Sequence, residues 1–198
     1  MMNLLARMTD AIGLLKQDGI QFALAGGLIA SLYRKVPRAT ADIDFAVMLE
    51  DESRATKILE AMGLEVHAFR KANLEGGPAF AIKRGNSPVY MLCGRPPQPG
   101  FGVDLILSRV PWVGRALERA QSNLVDFGAG KVPCLTVEDL LISKFYSASN
   151  QPSRFMDLDD LKSILESQED LDWFYLRDQM SVIGIAVPES IRPWFKDK

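Results

Sequence analysis

Residues 26–44 read GGLIASLYRKVPRATADID, which is a glycine pair, a short apolar run that ends near Pro37, and two aspartates separated by one residue. Another apolar run, residues 20–25, comes directly before the glycines. This order predicts a buried strand, a glycine turn, a helix over residues 28–35 and a second strand over residues 42–49.

The glycines and the aspartates together suit the binding of a polyphosphate. Gly26 and Gly27 lack side chains, so backbone amides at the start of the helix can approach a phosphate closely. Asp42 and Asp44 lie two apart on a strand and therefore share a face, which suits the hard oxygen ligands that divalent cations prefer. The segment predicts handling of a nucleoside triphosphate, whereas solvated acids on an exposed strand edge are the alternative interpretation.

Asp104 is the candidate for a third carboxylate. It interrupts the apolar stretch GVDLIL, and an acid buried in such a strand needs a cation or a hydrogen-bond partner. Taken alone, Asp104 is also consistent with a purely structural role.

Composition limits the classes of protein that fit. The chain has 198 residues, is 47% hydrophobic and carries a formal net charge of −2, so it can bury one sizeable core and lacks the basic footprint of a nucleic-acid-binding protein. Cys93 and Cys134 lack CxxC spacing and His67 is the one histidine, which argues against a zinc site. Without a membrane-length apolar stretch, the sequence predicts a soluble protein in the reduced cytoplasm, with no membrane partner.

The remaining chain divides into a mixed half and a helical half. Helical spacing of apolar residues is found over residues 4–15 and 55–62, and strand-like runs separated by glycine, proline and asparagine follow at residues 64–69, 79–84, 89–92 and 103–107. From Thr136 the pattern becomes helical, with further helices over residues 157–166 and 170–183. The expected fold is α/β (α+β), a mixed sheet of about five strands flanked by helices in residues 1–130, and a C-terminal helical subdomain in residues 131–198.

These motifs resemble those of the nucleotidyltransferase superfamily that shares the DNA polymerase β fold, in which a GG or GS turn precedes a DxD strand and a later strand adds a third carboxylate. More closely, the run from Gly26 through Arg38 and Thr40 to Asp44 is similar to the AbiEii-type nucleotidyltransferase toxins. The helical part of those relatives has a capped helix with an acid-Leu pair, a lysine and an Arg-x-x-Asp-x-x-Asp element. The matching residues here are Thr136, Glu138, Asp139, Leu140, Lys144, Arg154, Asp157 and Asp160. Gly27 stands where the GS version has a serine, so one hydroxyl is missing.

The resemblance implies transfer of a nucleoside monophosphate from an NTP to an acceptor hydroxyl. It assigns two Mg²⁺ ions, with Mn²⁺ as the alternative ion, to Asp42, Asp44 and Asp104, and it adds Lys144 to these three as catalytic. The nucleotide-binding residues that it implies are Gly26, Gly27, Arg38, Thr40, Lys144, Asp157 and Asp160.

The resemblance also implies partners, namely an RNA such as tRNA or a protein as acceptor, and a cognate antitoxin if the chain is a toxin of a toxin-antitoxin or phage-defence pair. A small-molecule acceptor such as an aminoglycoside is a close variant. The competing hypothesis is a catalytically silent nucleotide-binding module that regulates or binds a partner.

Several single residues keep two interpretations. Lys144 is either a ligand of the triphosphate or an ordinary surface lysine. Asp157 and Asp160 either orient Lys144 or the acceptor, or belong to a solvated helix N-terminus. The basic cluster of Arg34, Lys35 and Arg38 is either a solvated face or a contact surface for an RNA acceptor.

Overall fold

The computed structural model describes residues 3–70, 89–108, 110–128, 130–150 and 154–195. Within these ranges the chain forms seven α-helices and seven strands. The helices are α1 (Leu4–Gln17), α2 (Gly26–Tyr33), α3 (Glu52–Ala61), α4 (Pro111–Ala120), α5 (Val137–Asn150), α6 (Phe155–Ser167) and α7 (Trp173–Val182). The strands are β1 (Phe22–Ala25), β2 (Asp42–Met48), β3 (Glu65–Arg70), β4 (Val89–Arg95), β5 (Gly102–Ser108), β6 (Leu124–Asp126) and β7 (Lys131–Pro133).

Five of the strands form one mixed sheet in the order β1-β2-β5-β4-β3. Strands β2 and β5 run parallel, and the other neighbours in the sheet are antiparallel. This confirms the predicted α/β class with a sheet of about five strands. The strand-like run at residues 79–84 lies outside the described residues.

Helix α4 and the β6-β7 ribbon are additions to the predicted elements. In α4, Trp112, Val113, Ala116, Leu117 and Ala120 are buried, which is the spacing of an amphipathic helix. Pro111 opens the helix at a position where its missing N–H costs nothing. The apolar spacing of a helix was therefore present in the sequence at these positions.

The C-terminal helices pack onto the core through the end of α2. The carbonyl oxygen of Tyr33 accepts hydrogen bonds from Ser167 Oγ (2.5 Å) and Gln168 Nε2 (2.8 Å), so the end of α6 caps α2. Buried side chains of α5 and α6, such as Phe145 and Leu161, join the same apolar core as β1 and β2. The division of the chain at residue 130 stays a prediction. Among the helices described, none has the length and hydropathy that a bilayer span requires.

Candidate active site

Three predicted carboxylates lie together on one face of the central sheet. In the parallel pairing of β2 with β5, Asp44 is the partner of Asp104, and Asp42 is the partner of Gly102. Because side chains alternate along a strand, Asp42, Asp44 and Asp104 project from the same face. Asp104 is 4% exposed, whereas the side chain of Asp42 is 36% exposed, so the group extends from the interior to the solvent.

The glycine turn packs directly against Asp44. Gly26 has φ +62°, in the left-handed region, and a Cβ at this position would overlap the Asp44 carboxylate. The backbone N–H of Gly27 donates a 3.3 Å hydrogen bond to Asp44 Oδ2. Helix α2 begins at Gly26, two residues before the predicted start, so both glycines belong to its first turn. The residue type at position 26 is therefore dictated by the neighbouring carboxylate and by the backbone.

The carboxylate of Asp44 is electrostatically crowded. Burial and the negative charges of Asp42 and Asp104 raise its pKa to about 6, against the opposing effects of the Gly27 N–H and the Lys144 charge. A carboxylate in this environment gains from any cation that neutralises its neighbours. The cluster therefore has the electrostatic character of a cation site.

Arg38 and Thr40 line the other side of the turn. A Cβ at Gly27 would lie 2.9 Å from Thr40 Oγ1 and 3.0 Å from both terminal nitrogens of Arg38. The Thr40 hydroxyl also lies 3.1 Å from Asp42 Oδ1, to which it donates a hydrogen bond. The absence of a side chain at Gly27 thus lets a guanidinium and a hydroxyl approach the start of α2.

Beyond Arg38 lies a buried cluster of charges centred on Asp160 of α6. This fully buried carboxylate binds Arg38 Nε and Nη2 at 2.8 Å each, Arg34 Nη1 at 2.6 Å and Lys144 Nζ at 2.8 Å. Burial raises the pKa of Asp160, but the hydrogen bonds from Arg38 and the charge of Lys144 outweigh it and lower the pKa to about 2. Asp160 is therefore ionised throughout the physiological range.

Lys144 of α5 is buried between two carboxylates. Its Nζ lies 2.7 Å from Asp157 Oδ1 and 2.8 Å from Asp160 Oδ2, and the residue is 7% exposed. Asp157 is 3% exposed, so neither aspartate belongs to a solvated helix N-terminus. Lys144, Asp157 and Asp160 are thus brought together with one another, and Arg38 links them to the glycine turn.

Two of the three residues in the basic cluster of Arg34, Lys35 and Arg38 form ion pairs within the protein. Arg34 binds Asp159 as well as Asp160, both through ion pairs shorter than 3 Å. The guanidinium of Arg38 donates two hydrogen bonds to Asp160, while Lys35 is exposed. The surface charge available for an RNA backbone at this place is smaller than the sequence alone indicates.

Arg95 is a site residue that sequence reasoning missed. It ends β4, and its Nη1 and Nη2 bind the two carboxylate oxygens of Asp104, the second at 2.9 Å, while Nη2 lies 4.0 Å from Asp42 Oδ2. Hydrogen bonding to Asp104 raises the pKa of Arg95. In the register of β4 with β5, Cys93 is the partner of Asp104, so alternation puts Arg95 on the same face. That alternation was the available signal, but it required knowing the strand pairing.

The donor set fits a divalent cation in part. Asp42 and Asp44 offer hard oxygens at the rim of the sheet, beside crowded negative charge that a cation would relieve. Asp104 has both oxygens bound to Arg95, and it fits as a ligand once that pair opens. In the described ranges, no three His, Cys, Asp or Glu side chains already form a metal-binding group.

The fold of the chain is similar to that of two solved structures. The solution structure of the antibiotic-resistance factor ANT(2'')-Ia is similar with a TM-score of 0.51 and 14% identity, over 89% of this chain and 86% of that one. The crystal structure of ANT(2")-Ia in complex with adenylyl-2"-tobramycin gives a TM-score of 0.52 and 13% identity, over 89% and 94% of the two chains. At these identities the similarity shows the fold.

The sequence of the chain also matches a known protein family. Among curated proteins, none matches its sequence. The family described as nucleotidyl transferase AbiEii toxin, Type IV TA system, matches residues 13–184, which is most of the chain. The chain therefore belongs to the AbiEii family of nucleotidyltransferase toxins.

Proposed function

We propose that this nucleotidyltransferase transfers a nucleoside monophosphate from a Mg²⁺-bound NTP to a hydroxyl of an RNA or protein acceptor. In this proposal it acts in the cytoplasm as a toxin that a cognate antitoxin controls. The observation that carries the proposal is the contact of Asp44 with the Gly26-Gly27 turn, opposite Asp104 on the next strand. This contact joins carboxylates suited to a divalent ion with amides suited to a phosphate.

In the proposed site, Asp42 and Asp44 hold the cation, with Asp104 as a further ligand after its release from Arg95. Bound magnesium would neutralise the triphosphate and lower the pKa of the acceptor hydroxyl. Gly26 and Gly27 receive the phosphates at the start of α2.

The transfer itself is a displacement at the α-phosphate. Released Asp104 accepts the proton of the acceptor hydroxyl, whose oxygen then forms the new bond to the α-phosphorus. The bond to the bridging oxygen breaks on the opposite side, and pyrophosphate leaves with that oxygen. Removal of one carboxylate from this site costs about a thousandfold in rate.

Lys144 has a positioning role in this proposal. Its ammonium binds both Asp157 and Asp160 and so offsets part of the negative charge that these two buried aspartates bring together. Asp160 in turn holds the Arg38 fork near Gly27, where a guanidinium can contact a phosphate. Thr40 orients Asp42 through its hydroxyl.

Incubation of the purified chain with each α-labelled NTP, Mg²⁺ and, in separate reactions, total tRNA, cell protein or an aminoglycoside tests the proposal. We expect one nucleotide to label one acceptor class, and we expect Asp44→Ala to abolish the labelling. The control Asp10→Ala removes an exposed acid on α1 and should leave labelling unchanged. Labelling that persists in Asp44→Ala, or labelling of an aminoglycoside alone, would contradict the proposed site or the proposed acceptor.

A silent nucleotide-binding module is the second candidate, and the Arg95-Asp104 pair is the observation that favours it. In that case, the Mg²⁺-NTP complex binds tightly and no acceptor becomes labelled. Equilibrium dialysis with the same labelled nucleotides separates binding from transfer.

A further inference from the structure

We infer that Arg95 is the resident counter-cation of this active site, and that a divalent cation must displace its guanidinium to obtain Asp104 as a ligand. The inference rests on the proposed function, because it concerns the same carboxylates. It assigns Arg95 to metal loading, as a positioning residue that does not touch the reacting atoms.

The first observation is the geometry of the pair. Arg95 engages both oxygens of Asp104 in a bidentate pair and extends toward Asp42, with 4.0 Å between Nη2 and Oδ2. One guanidinium thus lies between two of the three carboxylates. A cation that uses Asp42 and Asp104 together needs the same space and the same lone pairs.

The second observation is the room made for this side chain. A Cβ at Gly102 would lie 2.6 Å from Arg95 Nη1 and 3.4 Å from Arg95 Cδ. Gly102 is the register partner of Asp42, so the missing side chain is next to the acidic cluster. The guanidinium lies against the backbone of β5, in the space that the side chain of any other residue at position 102 would fill.

The third observation is the unequal burial of the two partners. The side chain of Asp104 is 6% exposed, whereas that of Arg95 is 41% exposed. A carboxylate as buried as that of Asp104 needs a nearby positive charge, whereas Arg95 can turn into solvent without leaving a buried charge of its own. The pair can therefore open from the arginine side when a divalent ion replaces it.

The charges on the site give the expected direction of the effect. With Arg95 in place, the cluster of Asp42, Asp44 and Asp104 has a formal charge of −2, and without it the charge is −3. Removal of the guanidinium should strengthen the attraction for a divalent cation and remove its competitor, so we expect about tenfold tighter binding.

Mn²⁺ binding to the nucleotide-free chain, measured from the EPR signal of free Mn²⁺, tests the inference. We expect Arg95→Gln to lower the Kd for Mn²⁺ about tenfold, and Arg95→Lys to give an intermediate value because it keeps the charge and loses the bidentate contact. Arg192→Gln removes one positive charge from an exposed pair with Glu189 and should bind Mn²⁺ like the unmodified chain.

Thermal melting separates metal loading from a merely structural ion pair. We expect Arg95→Gln to melt below the unmodified chain in chelator and to recover with Mn²⁺. A structural pair predicts the same loss of stability, no recovery with Mn²⁺ and an unchanged or weaker Kd, and this result would overturn the inference.

The same measurements distinguish the inference from the proposed function. If Arg95→Gln tightens Mn²⁺ binding but no NTP labels any acceptor, the inference holds and the proposed transfer fails. If the unmodified chain and Arg95→Gln bind Mn²⁺ with equal affinity, the inference is wrong, and the proposed transfer is unaffected. If neither chain binds Mn²⁺, the metal site and the inference fail together.

Discussion

Arg38 binds Asp160 through two hydrogen bonds of 2.8 Å, one from Nε and one from Nη2, which join the loop after α2 to helix α6. Since Arg38 also lies beside Gly27, this pair is the physical connection between the glycine turn and the C-terminal helices. Asp160 is fully buried and binds three cationic side chains, so the connection depends on one carboxylate.

Asp160→Asn should be among the most destabilising polar substitutions in the chain. The amide leaves Arg34, Arg38 and Lys144 without their common negative partner, and uncompensated buried charge costs about 3–5 kcal/mol. Urea unfolding measures the change. Asp159→Asn is the matched control, because the side chain of Asp159 is 63% exposed and its ion pair is with Arg34, so its loss should cost at most about 1 kcal/mol. Equal losses in both variants would contradict the central role of Asp160.

The loss of stability at low pH should also depend on Asp160. Its pKa is about 2 in the folded chain, below the ordinary value of 3.8, so the folded state binds fewer protons than the unfolded state between these values. The resulting stabilisation is complete above about pH 4 and is lost as the pH falls through about 2, for a total of about 2 kcal/mol. Urea unfolding at pH 4, 3 and 2 should show this loss. In Asp160→Asn the difference between pH 4 and pH 2 should shrink by the same amount, and an unchanged difference would assign the loss of stability at low pH to other carboxylates.

Residues that act through their local sequence were predictable. The glycine pair, the DxD strand and the capped helix after Thr136 each have a short-range signature, and the structure has β2 at Asp42–Met48 and α5 from Val137. The mixed sheet followed from counting short strands between turns. These features depend on neighbours in the chain, so one sequence is enough to find them.

Residues that act through contacts between distant parts of the chain were not predictable from the same patterns. Arg95 meets Asp104 because β4 pairs with β5, and Arg38 meets Asp160 because α6 packs on α2. The sequence shows these residues as separate charges, and it therefore indicated an exposed basic cluster where the structure has buried ion pairs. Burial of Lys144 between two acids belongs to the same class, since no spacing rule reveals which charges face the interior.

Gly26→Ala should damage the site far more than a glycine substitution elsewhere on a helix. The new methyl group would overlap the Asp44 carboxylate, and the φ of +62° is unfavourable for alanine. We expect a loss of about 2 kcal/mol or more in the free energy of unfolding and at least tenfold weaker NTP binding. Differential scanning calorimetry and nucleotide titration measure the two effects.

Gly13→Ala provides the matched control for that substitution. Gly13 is exposed within α1, and a Cβ there meets no atom within 4 Å. Alanine at this position should stabilise the helix by about 0.5–1 kcal/mol and leave NTP binding unchanged. If Gly26→Ala behaved like Gly13→Ala, the close approach of the turn to Asp44 would not exist in solution.

Asp44→Asn should stabilise the metal-free chain while it abolishes transfer. Burial and the charges of Asp42 and Asp104 raise the pKa of Asp44 to about 6, so in the range from about pH 4 to 6 the folded state binds more protons than the unfolded state. Ionisation of Asp44 therefore costs stability as the pH rises, and the cost is fully present above about pH 6. Asparagine removes that cost and still accepts the hydrogen bond from the Gly27 N–H, so we expect a gain of about 1–2 kcal/mol at pH 7.5 in chelator.

Added Mg²⁺ should reverse the order of the two chains. The divalent ion offsets the repulsion among the carboxylates in the unmodified chain, and Asp44→Asn has lost one of the charges that attract it. Thermal melts with and without Mg²⁺ should therefore show a larger rise for the unmodified chain, while labelling assays show transfer reduced about a thousandfold or more in the variant. Asp10→Asn controls for the loss of one negative charge on an exposed surface. If Asp44→Asn were less stable than the unmodified chain in chelator, the Asp44 carboxylate would stabilise the metal-free fold. That result would contradict the interpretation that the carboxylate cluster lowers stability in the absence of a cation.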